Sequence, residues 1–229
     1  MKRVQLPETL PTDTEVWLLE FDFDSTRLAE DWALLSTQEK ERALRFHQFK
    51  DQIRTIATRA ALRRLLAKHI GSSPRTLRID VNDFGKPHLQ ADSAPAFNVT
   101  HAGSFALIAL STQSEVGIDI ESRNRDMTHL DAYVLSPKER DLGIWSSENL
   151  IELWVIKESA LKALGVGIAE YLQAITVLPN QDGSYRIAHD RASWTTIQAW
   201  SIEAPNHYVA ALSLMQHRPL CDRSQSFFF

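Results

Sequence analysis

The sequence predicts an α+β fold made of two similar halves within one chain. Three observations lead there. A capped short helix, a longer helix and then several strands occur in that order twice along the 229 residues. Two apolar segments, Ser104-Phe105-Ala106-Leu107-Ile108-Ala109-Leu110-Ser111 and His207-Tyr208-Val209-Ala210-Ala211-Leu212-Ser213, resemble each other and fall late in each half. The length suits two units of roughly 100 residues each.

In the first half, residues 15–24 read as a strand, with Val16, Leu18, Phe21 and Phe23 among its apolar residues. Ser36-Thr37-Gln38-Glu39 is a capping-box pattern that opens a helix. Ile53, Ile56, Ala60, Leu62, Leu65 and Leu66 then recur at helical spacing, which predicts a long helix over about Phe49–Ile70, stopped by Gly71. Strands follow at 76–81, 105–111 and 116–121. The last two are close enough to pair as a hairpin through 112–115. In the second half, Ser136-Pro137-Lys138-Glu139 opens a short helix, with Pro137 where its missing N–H costs little. Ser147 is expected to cap a helix that ends at Gly165, and strands follow near 174–178, 185–188, 196–203 and 208–214. The halves are expected to meet near 121–130: an N-terminal half 1–122, a C-terminal half 123–216, and a loose, aperiodic tail 217–229.

Hydrophobic residues make up 44% of the chain, which is ordinary for a folded domain. No apolar run reaches the ~18 residues that would span a bilayer. Met1-Lys2-Arg3-Val4-Gln5-Leu6-Pro7-Glu8 lacks the apolar core of a signal peptide. The single cysteine, Cys221, excludes an internal disulfide and a cysteine-based zinc cluster. A cytoplasmic monomer without a membrane partner is expected. Net charge is −4, yet nine Lys or Arg lie between Lys40 and Lys68 against only Glu41 and Asp51. A local basic stretch on an acidic protein points to an anionic ligand held at one place, not to nucleic acid. A solvated cationic helix face is the plain alternative.

Three constellations could carry chemistry. In Val116-Gly117-Ile118-Asp119-Ile120-Glu121, residues two apart on a strand share a face, so Asp119 and Glu121 lie side by side. Two adjacent carboxylates repel unless a cation sits between them, and hard oxygens suit magnesium. An edge strand with its acids in water is the alternative. Gly117 would admit a close approach by a backbone or a ligand. In Trp154-Val155-Ile156-Lys157-Glu158-Ser159-Ala160-Leu161-Lys162, positions 154, 158 and 162 form one helix stripe. A carboxylate beside tryptophan in a half-buried seam is a candidate ligand or base; an exposed Glu/Lys pair is the bland reading. In Phe97-Asn98-Val99-Thr100-His101-Ala102-Gly103-Ser104, His101 at a strand edge can donate to phosphate oxygens, or be merely structural. Lys86, in the Gly85-Lys86-Pro87 turn, can supply a point charge. The sequence has no phosphate-cradling Gly-rich loop, no H-E-x-x-H and no G-x-S-x-G.

Together and in this order, these segments resemble the surfactin-type 4′-phosphopantetheinyl transferases over about residues 36–170. Gly117-Ile118-Asp119-Ile120-Glu121 is similar to that family's G-x-D-x-E motif. The run from Trp154 to Lys162 is similar to its W-x-x-K-E-[AS]-x-x-K motif, Phe97–His101 to F-N-[IV]-S-H, and Gly85-Lys86-Pro87 to G-K-P. The basic helix from Asp51 to Arg64 also looks like the family's. The resemblance implies two α+β halves with coenzyme A between them. It implies Mg²⁺ held by Asp119, Glu121 and Glu158. It places His101 and Lys86 on phosphates, and Arg54 with Arg59 or Thr55 near the 3′-phosphate and adenosine. Glu158 would take the proton of a serine on an apo acyl or peptidyl carrier protein, the partner, and Lys162 would stabilise the departing adenosine 3′,5′-bisphosphate. The activity implied is that of a holo-acyl-carrier-protein synthase. Thr100 stands where serine is usual, Ala102 where a second serine is common, and Glu39 where relatives often carry a basic residue. Two rival readings use the same residues: a magnesium-dependent phosphohydrolase of coenzyme A, and a non-catalytic scaffold that binds coenzyme A or a carrier.

Overall fold

A computed structural model describes residues 1–23, 28–91 and 93–216. The chain runs through β1 (Lys2–Arg3), β2 (Thr14–Glu20), α1 (Leu28–Trp32), α2 (Thr37–Leu44), α3 (Phe49–Ile70), β3 (Ile79–Val81), β4 (Pro87–Leu89), β5 (Ala96–Ala102), β6 (Phe105–Ser111) and β7 (Ser114–Ser122). It continues through α4 (Asp131–Val134), α5 (Pro137–Leu142), α6 (Leu150–Leu164), α7 (Ile168–Tyr171), β8 (Thr176–Pro179), β9 (Ser184–Ala188), β10 (Ile197–Ile202) and β11 (Tyr208–Gln216). The tail 217–229 lies outside the described residues, as does Asp24 at the end of the first expected strand.

Two antiparallel sheets organise these elements, in the orders β1-β2-β6-β5 and β7-β11-β10-β9-β8. Alternation along each strand decides what each face meets. Leu107 and Ala109 of β6 share a core with Val116, Ile118 and Ile120 of β7 and with Leu212 and Leu214 of β11. The alternate residues of β6, Ala106, Ile108 and Leu110, pack against Ala61, Leu62, Leu65 and Leu66 of α3. On the other sheet Ala199, Val209 and Ala211 pack against α6. Each half is thus a long helix on an antiparallel sheet, and the sheets share a core. The two look-alike segments become β6 and β11, both interior strands.

Helix α3 has the expected bounds, closed by Gly71 at φ 66°, a left-handed conformation that costs glycine little. Both capping boxes form, at Ser36/Glu39 and Ser136/Glu139. The expected hairpin between 105–111 and 116–121 does not form. β6 pairs with β2 and β5, whereas β7 pairs with β11. The connection is a corner between sheets, pinned by Asp13. Its Oδ2 accepts from Ser111 Oγ at 2.7 Å and from the amides of Thr112 and Gln113. Strand β7 falls before the expected boundary at 122 but is hydrogen-bonded along its whole length into the second sheet. Ser147 does not cap α6. The N-cap is Asn149, whose Oδ1 instead accepts from the Ser146 amide at 2.6 Å.

Candidate active site

The site forms where β5 and β7, facing edges of the two sheets, meet α6. Asn98 Oδ1 on β5 accepts from the Ile118 amide of β7 at 3.1 Å, which locks the two edges together. Helix α6 lies directly on β7 because Gly117 has no side chain. A Cβ there would strike the Ser159 carbonyl oxygen and the Ala163 amide nitrogen. This close approach sets Glu158 and Lys162 opposite Asp119.

Asp119 is 2% exposed. Its Oδ1 accepts from Lys162 Nζ at 2.6 Å and from Thr100 Oγ1 at 2.9 Å, while its Oδ2 is buried without a partner. Lys162 also lies 3.5 Å from Glu158 Oε2. Burial alone would lower the Lys162 pKa, but Asp119 and Glu158 outweigh it and hold the ammonium above its ordinary value. Desolvation, with Asp119 next in weight, pushes the Glu158 carboxyl up to about 7; Lys162 opposes the shift. Glu121 is raised as well, by desolvation first. Arg125 pairs with Glu121 and stacks over the Trp154 ring at 4.5 Å. The tryptophan is buried and its Nε1 is unpartnered. Buried polar atoms normally find partners, and Asp119 Oδ2 is an acceptor left without one.

Asp119, Glu121, Glu158 and Lys162 are therefore brought together. Among the described residues, no three His, Cys, Asp or Glu side chains form a ready-made metal cage. Lys162 and Arg125 supply the counter-charge. The donor chemistry still fits a hard divalent cation: carboxylate oxygens only, one of them buried and unpaired.

A cleft of about 240 Å³ adjoins this seam and gathers a second group: Arg42, Arg54, Thr55, Arg59 and His101. Arg54 is aimed by Gly103 O at 2.7 Å and Asp51 Oδ1 at 2.5 Å. His101 stays open to solvent, yet the protein mass beside it desolvates the ring. That, with the Arg54 and Lys162 cations, lowers its pKa. Lys86 does not join the group: its ammonium is 2.7 Å from Glu115 Oε2 and donates to Ala163 O at 2.9 Å.

Part of the basic stretch is spent within the fold. Arg63, 1% exposed, donates to Glu39 at 2.7 Å and to the Pro74 and Leu77 carbonyls. Arg59 and Arg64 pair with Glu39 and Asp31. Sequence reasoning missed three residues. Thr100, noted only as a departure from serine, orients Asp119. Arg125 carried no motif. Lys157, fully buried, pairs with Glu139 at 2.7 Å and donates to the carbonyls of Val134, Leu172 and Ile175. Its signal was a cation among apolar positions of α6.

Comparisons with known proteins agree with this architecture. Residues 115–213 match the 4′-phosphopantetheinyl transferase superfamily, and residues 24–113 match the domain described as 4′-phosphopantetheinyl transferase, N-terminal. The chain belongs to that superfamily. It is 29% identical to the 4′-phosphopantetheinyl transferase HetI of Nostoc sp., over 84% of this chain and 82% of that protein. It is 25% identical to the 4′-phosphopantetheinyl transferase Sfp of Bacillus subtilis, over 68% of this chain and 71% of that protein. With slr0495 of Synechocystis sp. identity reaches 34%, over 66% of this chain and 64% of that relative.

Proposed function

We propose that the protein transfers the 4′-phosphopantetheine arm of coenzyme A to a serine of an apo carrier protein, as a holo-acyl-carrier-protein synthase. The observation that carries this reading is geometric: α6 sets Glu158 and Lys162 against Asp119 of β7, with Lys162 Nζ 2.6 Å from Asp119 Oδ1 and 3.5 Å from Glu158 Oε2. A carboxylate placed there can take a serine proton. As the serine oxygen bonds to phosphorus, the bond to adenosine 3′,5′-bisphosphate breaks and the proton passes to Glu158. Lys162, held by Asp119, faces the negative charge that grows on the leaving phosphate. Phosphoryl transfer asks mainly for positioning and charge neutralisation, and these residues supply both. Asp119, Glu121 and Glu158 would hold Mg²⁺, which when bound would neutralise pyrophosphate charge. Arg54, Thr55, Arg59 and His101 line the cleft that would take the anionic nucleotide end of coenzyme A. Helices among the described residues are not long and apolar enough to cross a membrane.

The test incubates the protein and Mg²⁺ with pantetheine-labelled coenzyme A and a panel of apo acyl and peptidyl carriers. Label on a carrier serine is expected. Release of phosphopantetheine without a carrier would point to a hydrolase instead. Binding without either product would point to a scaffold.

A further inference from the structure

Resting on the transferase reading above, the geometry points to Lys86 as a positioning residue that clamps the C-terminal end of α6 to the N-terminal half and so fixes where Glu158 and Lys162 stand. The residue sits in a turn closed on itself: Asn82 Oδ1 accepts from the amides of Phe84 at 3.0 Å and Lys86 at 2.8 Å, and the Asn82 amide donates to Lys86 O at 2.9 Å. From this turn two arms reach α6. Lys86 Nζ donates to Ala163 O at 2.9 Å, and Asn82 Nδ2 donates to Gly165 O at 3.3 Å. The last carbonyls of a helix have no partner within it and carry its negative dipole end, so an ammonium there is doubly favoured. Glu115 completes the clamp. It begins β7, lies 2.7 Å from Lys86 Nζ, and is two residues from Gly117, on which α6 rests. Ala163 directly follows Lys162, and Glu158 lies little more than a turn earlier.

The side chain points away from the arginine cleft. Gly85 and Pro87, on either side, line that cleft. Lys86 instead lines a separate cavity of about 570 Å³ with Glu115, Ala163 and Gly165. Only 13% of its side chain is exposed.

Glu115→Gln separates a clamp from a phosphate contact. If Lys86 served coenzyme A directly, Lys86→Gln would raise the KM for coenzyme A, and Glu115→Gln, by releasing the ammonium, would lower it. The clamp predicts that both single variants lose kcat about tenfold with KM within about twofold. It also predicts that the double variant is no worse than the poorer single, because one unit is broken twice. Hydrogen exchange gives a readout that needs no carrier. The Gly165 and Val166 amides, bonded to Lys162 O and Leu161 O, should exchange faster in both variants. A shift confined to KM, an unchanged kcat, or unchanged exchange at these amides would overturn the clamp. If the wild-type protein transfers to no carrier but exchange still rises in both variants, the clamp stands and the transferase reading fails.

Discussion

Glu158 owes its raised pKa to burial first and to Asp119 next, and this sets a sign that can be measured. Between about pH 4.5 and 7 the folded protein binds a proton that the unfolded chain has already released. The contribution of Glu158 to stability therefore falls as pH rises through that window. Glu158→Gln keeps the shape and removes the titration. In chelator-treated buffer the variant should melt higher than wild type at pH 8, by on the order of 1–3 kcal/mol, with the gain gone near pH 4.5. A difference in melting that ignores pH would refute the burial argument. The same variant should lose turnover by roughly 10²–10⁴-fold if Glu158 is the base. Arg54→Ala is expected to raise the KM for coenzyme A more than for dephospho-coenzyme A, since the arginine is aimed into the cleft by Gly103 and Asp51. Equal effects on both substrates would place its role elsewhere. Strand and helix periods put the acids and the α6 lysine on shared faces, but left water-exposed acids and a plain Glu/Lys pair open as alternatives; the family resemblance is what singled them out as a site. Thr100 and Arg125 were not, since their partners are set by how β5 meets β7 and how the loop after β7 folds over Trp154.

At the scale of elements, the contact between β7 and α6 is the determinant. Gly117 was readable as a place of close approach, although the sequence left open whether a backbone or a ligand approaches. It is the α6 backbone. Gly117→Ala must push helix from strand, because the atoms in the way are main-chain and cannot rotate aside. A loss of about 1–3 kcal/mol is expected from such overpacking, and turnover should fall in the fraction that stays folded, because Glu158 and Lys162 move with the helix. Calorimetry with single-turnover rates would check this; unchanged values for both would mean α6 is not seated by Gly117. Long α3 was legible because periodic apolar residues and a terminal glycine agree. The β6–β7 connection was not. Its outcome depends on Asp13, about a hundred residues away, capturing three donors of the corner, and local spacing carries no trace of that. The buried Lys157–Glu139 pair shows its cation among the apolar positions of α6, but its partner is set only when α5 and α6 dock.

Across the whole molecule, the halves are similar in plan but not independent in energy. Val16, Leu18, Leu107 and Ala109 from one sheet and Ile118, Ile120, Leu212 and Leu214 from the other fill a single core. Asn98 and Thr100 bond across the edges. Splitting the chain between β6 and β7 would expose the sheet-facing side of both pieces, at roughly 25 cal/mol per Å² of apolar surface. The intact protein should therefore unfold in one transition, with fluorescence and far-UV dichroism superimposing and calorimetric and van't Hoff enthalpies equal. A fragment comprising residues 1–113 should show no cooperative melt on its own. Two separated transitions in the full chain, or a sharply melting fragment, would show that the halves fold independently. In that case the arginine cleft lined by one half and Glu158 carried by the other would be held together only by loose docking, and Asn98→Ala, which removes the bond between the sheet edges, would then leave stability unchanged instead of lowering it by about 1–3 kcal/mol.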